Sequence, residues 1–253
     1  MNSQTKQPTL FCEMSQCWGG DAAVECSSCG LDPLCALVDY GTNDSVAVDE
    51  ILLANRAVAK GETLFRVGMP FFSIFSVKSG AFKTLLPSSH SADQIIGFHL
   101  PGELMGVEGI AQARYPFTVR ALEVSHICEL RLDRLNALLD DKERVQQAII
   151  SMLSGEVAFQ YSLTAELIRQ SAEGRVAAFL LNLSRRLVGR GFSGSEFNLP
   201  MSRVDIGNFL GLAPETITRF LKSLERKGLI EIRRKSLKIL DEGGVAALAE
   251  AGE

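Results

Sequence analysis

The chain has no basic start followed by an unbroken apolar stretch, and nowhere does it run for about 18 uncharged apolar residues. These absences argue against a secretory signal and a membrane-spanning helix, and the expected compartment is the reducing cytoplasm. There is also no H-E-x-x-H motif, no phosphate-cradling glycine loop and no Cys, His and carboxylate grouping, so little supports an enzyme. Residues 1 to about 40 lack any sustained hydrophobic period and are rich in Cys, Gly, Ser and Asp, which predicts a loop-like segment needing an external staple.

What is present suffices for a packed protein. With 253 residues and 46% hydrophobic content, one large or two modest domains can each bury a core, which argues against disorder. The net charge of −4 is unevenly spread. From Pro200 to Leu240, nine Lys/Arg stand against four Asp/Glu, a net +5 that leaves −9 on the remainder. A basic module on an acidic body is the electrostatic footprint of phosphate binding and predicts strong salt dependence. A solvated charged surface is the competing reading.

From about Val58 to Leu132, short β-branched and aromatic runs (Glu62–Val67, Phe72–Val77, Ala81–Leu86, Gln94–Leu100 and Phe117–Leu122) are separated by Gly, Pro or Ser. Such punctuation indicates an antiparallel sandwich or jelly roll. The period then changes to 3.6 residues. Asp133 to Leu139 reads as a short helix, and Glu143 to about Gln170 as one longer than a globular domain usually needs. Within it Ile150, Leu153, Val157, Gln160 and Thr164 follow the 3-4-3-4 spacing of a two-helix seam, although Gln160 is polar there. Packing of this stripe on the sandwich is the alternative. A further helix, Ala172 to Val188, ends at Gly189–Arg190–Gly191.

Ser202 to Leu210 reads as a helix capped by Ser202, with Gly211–Leu212–Ala213 as the turn and Pro214 opening the next helix. Ile217, Phe220, Leu221 and Leu224 fall on one face of that second helix, whereas Glu215, Thr218, Arg219 and Lys222 fall on the other. Arg219 can donate two hydrogen bonds to guanine, Glu215 can accept from cytosine N4, and Thr218 can offer its methyl to thymine. Gly228 ends the helix, and Leu229–Arg233 with Leu237–Leu240 form a hairpin whose tip, Arg234–Lys235–Ser236, can touch phosphate. The pattern predicts a winged helix-turn-helix that binds double-stranded DNA.

Five of the six cysteines crowd between Cys12 and Cys35. In a reducing compartment they read as metal ligands or redox thiols, not disulfides. Cys26-x₂-Cys29-x₅-Cys35 supplies three thiolates and Cys128, on a predicted strand, a fourth; an ordinary buried thiol is the alternative for Cys128. Four thiolates suit tetrahedral zinc or an iron–sulfur cluster. The absence of a second paired knuckle favours the cluster, and Cys12 and Cys17 read as spare thiols.

Over about residues 20 to 240 the chain resembles the fumarate and nitrate reductase regulator (FNR) family, a branch of the cyclic-AMP receptor protein superfamily. The resemblance rests on CSSCGLDPLC (26–35), KGETLF (60–65), VKSGAFK (77–83), LPGELMG (100–106), HICEL (126–130), NLSRRL (182–187), RGFS (190–193) and MSRVDIGNFLGLAPETITRFL (201–221). It implies that Cys26, Cys29, Cys35 and Cys128 hold an oxygen-labile 4Fe–4S cluster. It also implies a homodimer that reads a TTGAT-type inverted repeat through an E-x-x-S-R pattern. Glu215 and Arg219 match that pattern, with Thr218 in place of Ser. Val107 and Tyr115–Pro116 stand where cyclic-nucleotide binders of the superfamily carry a Glu and an Arg-Ser pair, so no cyclic nucleotide is expected.

The implied organisation is α+β. A cysteine-rich cluster-binding segment (1–45) precedes a jelly-roll sensor domain (46–140), a dimerisation helix (141–171) and a winged helix-turn-helix (172–246). RNA polymerase is the implied partner at promoters, with Leu86–Asp93 as a candidate contact or a plain flexible loop. The alternative sensor is haem or thiol oxidation in the same fold, involving His90, His99, His126 or Cys17.

Overall fold

A computed structural model describes residues 23–41, 51–88, 92–138, 142–168 and 171–250. Cys12, Cys17, His90 and Ser89–Ser91 of the candidate polymerase loop lie outside the described residues. The chain is α+β. Eight strands, β1 (Leu52–Val58), β2 (Thr63–Phe65), β3 (Ser73–Ser79), β4 (Phe82–Leu86), β5 (Gln94–His99), β6 (Leu104–Met105), β7 (Thr118–Ala121) and β8 (Ser125–Arg131), form two antiparallel four-stranded sheets. Their orders are β1-β8-β3-β6 and β2-β7-β4-β5. Val58, Phe65, Phe75, Val77, Phe82, Met105, Val119 and Ile127 fill the space between the sheets. This is the jelly-roll sandwich that the short punctuated runs predict.

Over the described residues 23–41, the expectation of a loop-like segment is corrected. A single 3-10 turn (Cys26–Ser28) leads into α1 (Asp32–Gly41), whose Pro33 sits in the first turn, where its missing N–H costs no helical bond. Leu31 and Leu34 are fully buried against Ile74, Leu130 and Leu135. The helix is too short for its period to emerge from sequence, and its stability comes from docking.

Two helices follow the sandwich: α2 (Leu132–Leu138) and the 27-residue α3 (Lys142–Ile168). Val145, Ile149 and Met152 turn α3 toward the Leu31 and Leu34 cluster. On its outer side Ile150, Val157 and Tyr161 remain 63%, 52% and 74% exposed. Gln160 and Thr164 share this exposure, whereas Leu153 is half-buried against the α1 cluster, and Tyr161 adds to the exposed stripe in a way the spacing did not indicate.

The C-terminal part comprises α4 (Ala172–Val188), β9 (Glu196–Asn198), α5 (Arg203–Leu210), α6 (Pro214–Arg226), β10 (Ile230–Arg233), β11 (Ser236–Ile239) and α7 (Glu242–Glu250). Ser171 caps α4 by accepting from the Gly174 N–H at 3.1 Å. Most of α4 is buried and forms the spine of this part. Phe98 of β5, Phe179 of α4 and Phe209 of α5 meet ring to ring at 5.2–6.0 Å, which joins this part to the sandwich.

Candidate nucleic-acid interface and cysteine site

The helix-turn-helix is built from local chemistry. Ser202 Oγ accepts from the Asp205 N–H at 3.1 Å while the Ser202 N–H donates to Asp205 Oδ2 at 3.0 Å, a reciprocal capping box. Ser202 is therefore placed as an N-cap whose hydroxyl is already engaged. Asp205 also takes Lys83 Nζ of β4 at 2.6 Å. Burial alone raises the Asp205 carboxyl, and the bonds from Lys83 and Ser202 outweigh it, holding the group below the usual carboxylate range.

Gly211 closes α5 at φ +67, the left-handed conformation that glycine accepts without cost. A residue that sequence reasoning passed over also shapes the turn: a Cβ on Gly207 would lie 2.5 Å from the Leu212 carbonyl. The helix-Gly-x-x-x-Gly spacing in 207–211 was the available signal. Pro214 then opens α6 as expected.

Ile217, Leu221 and Leu224 are buried and Phe220 is half-buried, while Glu215, Thr218, Arg219 and Lys222 are exposed together on the opposite face. The Arg219 guanidinium lies 5.1 Å from the Phe220 ring, and Thr218 Oγ1 donates to the Pro214 carbonyl at 3.0 Å. Three side chains unnoticed in the sequence hold this helix-turn-helix in place. Glu173 accepts from Ser223 and Lys227 at 3.3 and 3.0 Å. Glu225 accepts from the Ile232 N–H at 3.0 Å, and Arg175 donates to the Leu210 carbonyl at 2.7 Å. At the wing tip Arg234 has φ +58, and Lys235 lies 3.5 Å from Glu123 of the sandwich.

Three of the four cysteines pack against one wall of the sandwich. Cys26 is exposed at the 3-10 turn, whereas Cys29, Cys35 and Cys128 are half-buried against the cluster containing Leu31 and Leu34. Cys29 Sγ lies 3.0 Å from Ser76 Oγ, and Ser76 is the register partner of Cys128 across β3 and β8. Opposite Cys128, β1 carries a bulge between Leu53 and Arg56 containing Asn55 at φ +63. Bulges re-aim side chains next to functional sites. Burial, then the neighbouring thiols led by Cys29, pushes the Cys35 thiol far above its ordinary value. Cys128 is also raised, by burial first, with the Asn55 backbone acting against it.

Among the described residues, no three His, Cys, Asp or Glu side chains are drawn into a closed ligand cage. The donor set nevertheless suits an iron–sulfur cluster: four soft thiols, of which Cys35 and Cys128 are held protonated by burial and neighbouring thiols until a cationic core offsets that cost. His99 and His126 are hydrogen-bonded to Thr84 (2.6 Å) and Ser79 (3.2 Å). Tyr115 stacks on Phe65 with centroids 4.0 Å apart and donates to the Ser73 carbonyl at 2.8 Å.

Residues 174–248 match the model of the Crp-like helix-turn-helix domain, and residues 55–142 that of the cyclic nucleotide-binding domain. Transcriptional activator protein FnrA of Stutzerimonas stutzeri is 41% identical over 224 residues, covering 88% of this chain and 92% of that protein. The fumarate and nitrate reduction regulatory protein of Escherichia coli K12 is 35% identical over 230 residues, 91% of this chain and 92% of that protein. Among solved structures, FixK2 from Bradyrhizobium japonicum superposes with a TM-score of 0.69 at 26% identity, covering 79% of this chain and all of that one.

Proposed function

Because the chain belongs to the FNR family of the cyclic-AMP receptor protein superfamily, whose members are transcription regulators and not enzymes, we propose that it regulates transcription in response to oxygen. In this reading it binds a TTGAT-type inverted repeat as a homodimer while Cys26, Cys29, Cys35 and Cys128 hold a 4Fe–4S cluster. The observation that supports the reading is that Cys29 and Cys35 from the N-terminal segment and Cys128 from β8 pack against one apolar cluster, beside the bulge at Asn55, with Cys26 on the turn that leads to them.

When bound, the cluster supplies oxygen-labile iron–thiolate bonds. The chain's own residues do the rest. Cys26, Cys29 and Cys35 tie residues 23–41 to Cys128 of β8, and α1 in turn packs against α3. That packing sets the position of the outer stripe with Ile150, Val157 and Tyr161, the surface offered to a second copy. Pairing of α3 brings two copies of α6 about one DNA turn apart, so that Glu215, Thr218 and Arg219 meet matching half-sites while Lys222 meets phosphate. Once the tie is lost, the cysteine segment and α3 are no longer held together and the dimer weakens.

The burial of Val107 and the occupied position of Tyr115 support a sandwich that takes no cyclic nucleotide. At a promoter, residues 86–93 are the candidate contact with RNA polymerase, the alternative being a stretch without that role. The test is anaerobic purification, visible absorption, admission of air, and binding to a TTGAT–ATCAA duplex throughout. Absorption that bleaches together with loss of DNA binding is the expected result. Equal binding by colourless, air-exposed protein would discard oxygen sensing through a cluster.

A further inference from the structure

Two arginines one helical turn apart near the end of α4 cross from the DNA-binding part to the sensor part. Arg186 forms a two-pronged ion pair with Glu103, with Nε 2.7 Å from Oε1 and Nη2 2.5 Å from Oε2. Arg190 Nη1 donates to the main-chain carbonyl of Ser28 at 2.8 Å. Ser28 stands between Cys26 and Cys29, so its carbonyl belongs to the cysteine loop itself. A crevice of about 520 Å³ lined by Cys29, Glu103, Phe159, Arg186 and Arg190 opens beside these contacts. Apolar packing around Phe98 and Phe179 joins the two parts on one side of this crevice, and beside the cysteine loop Arg186 and Arg190 supply polar contacts across it.

Gly102 shapes the same junction. Its φ is +88, and a Cβ there would lie 2.9 Å from Arg190 Cδ and 3.0 Å from the Ser28 carbonyl oxygen. Its own carbonyl accepts from the Gly30 N–H at 2.8 Å, and its N–H donates to Val77 at 2.7 Å. The cysteine loop, the turn before β6 and the end of α4 thus meet at one point with no room for a side chain.

We propose that Arg190 is a positioning residue that carries the state of the cysteine loop directly to the DNA-binding part, in addition to any effect through pairing of α3. The Ser28 carbonyl faces Arg190 only while residues 26–30 keep this fold. When the loop rearranges, the end of α4 loses its hydrogen bond to the cysteine loop while Arg186 keeps Glu103. The inference rests on the cluster reading for what rearranges the loop, and on the contact alone for how the change is passed on.

The experiment uses the full chain, prepared without oxygen and assayed with duplex DNA in the absence of polymerase. It compares wild type with Arg190→Ala and Arg190→Lys by visible absorption, sedimentation, DNA affinity and amide hydrogen exchange. Arg190→Ala is expected to keep the absorption and the dimer fraction, bind the duplex about tenfold more weakly, and exchange faster at residues 26–30. Arg190→Lys keeps one donor and is expected to stay within about threefold of wild type. Binding by Arg190→Ala within about twofold of wild type would overturn the inference. So would a dimer fraction that falls in step with affinity, because the effect would then run through α3. If wild type proves colourless and indifferent to air, the cluster reading fails on its own. Exchange at residues 26–30 still decides the contact in that case: faster exchange in Arg190→Ala supports it, and unchanged exchange overturns it.

Discussion

Arg219 and Lys222 stand on the same exposed face of α6, yet their removal has different expected consequences. A guanidinium in the major groove can meet guanine with two parallel bonds, so Arg219→Ala is expected to cost about 1–3 kcal/mol and to relax preference at one base pair. An ammonium on phosphate is indifferent to sequence. Lys222→Ala is therefore expected to weaken all duplexes alike and to reduce the salt slope by about one. Binding titrations on matched and single-mismatch duplexes at several salt concentrations separate the two.

A second residue-scale prediction concerns acid. Burial, followed by the Arg186 charge, lowers His99 from 6.5 to about 4, against the opposing pull of Glu103. The native protein thus keeps His99 neutral where the unfolded chain protonates it. The unfolded state binds the extra proton between pH 6.5 and about 4, so stability is full above 6.5 and falls as pH drops through that window. The loss is at most about 3 kcal/mol. Urea midpoints at pH 7 and pH 5 are expected to differ for wild type and to converge for His99→Gln.

At the scale of elements, α3 illustrates how much a helix can hide. Its length and one stripe were readable from sequence, but a helix apolar on two sides does not reveal which side faces its own sandwich. Val145, Ile149 and Met152 turned out to face inward, leaving Ile150, Val157 and Tyr161 outward. Val157→Glu places two carboxylates in any symmetric seam and removes apolar area from it. It is expected to weaken dimerisation on the order of tenfold while leaving the thermal midpoint of the monomer nearly unchanged, as sedimentation and calorimetry would show. The helix-turn-helix was legible almost residue by residue, because caps, glycine turns and amphipathic faces are local devices. α1 was missed because its stability derives from Leu31 and Leu34 docking on distant strands, a contact without a local signature.

At the scale of the whole molecule, the sandwich and the helix-turn-helix part are joined by a few strong contacts. They include the Phe98, Phe179 and Phe209 trio, Lys83 with Asp205, Gln94 with the Asn208 carbonyl, and Glu103 with Arg186. The Glu103–Arg186 pair is 14% and 8% exposed, so removing one partner strands the other charge in a poorly solvated place. Burial raises the Glu103 carboxyl, and the Arg186 charge and hydrogen bonds more than reverse that, keeping it ionised below the usual range. Glu103→Gln is expected to cost about 3 kcal/mol, read as a lower urea midpoint, because the Arg186 guanidinium cannot shed its proton.

By itself the sequence determined the jelly roll, the long helix, the winged helix-turn-helix and the exposed polar face of α6 with Glu215, Thr218, Arg219 and Lys222. Each of these follows from period, turn chemistry or spacing within one short stretch. Only the tertiary structure decided that Cys29 approaches Ser76 opposite Cys128, that a bulge at Asn55 faces that cysteine, and that Arg190 reaches the Ser28 carbonyl. These contacts join residues far apart in the chain. Their partners are selected by how the sheets, α1 and α4 pack together, and no local pattern encodes that packing.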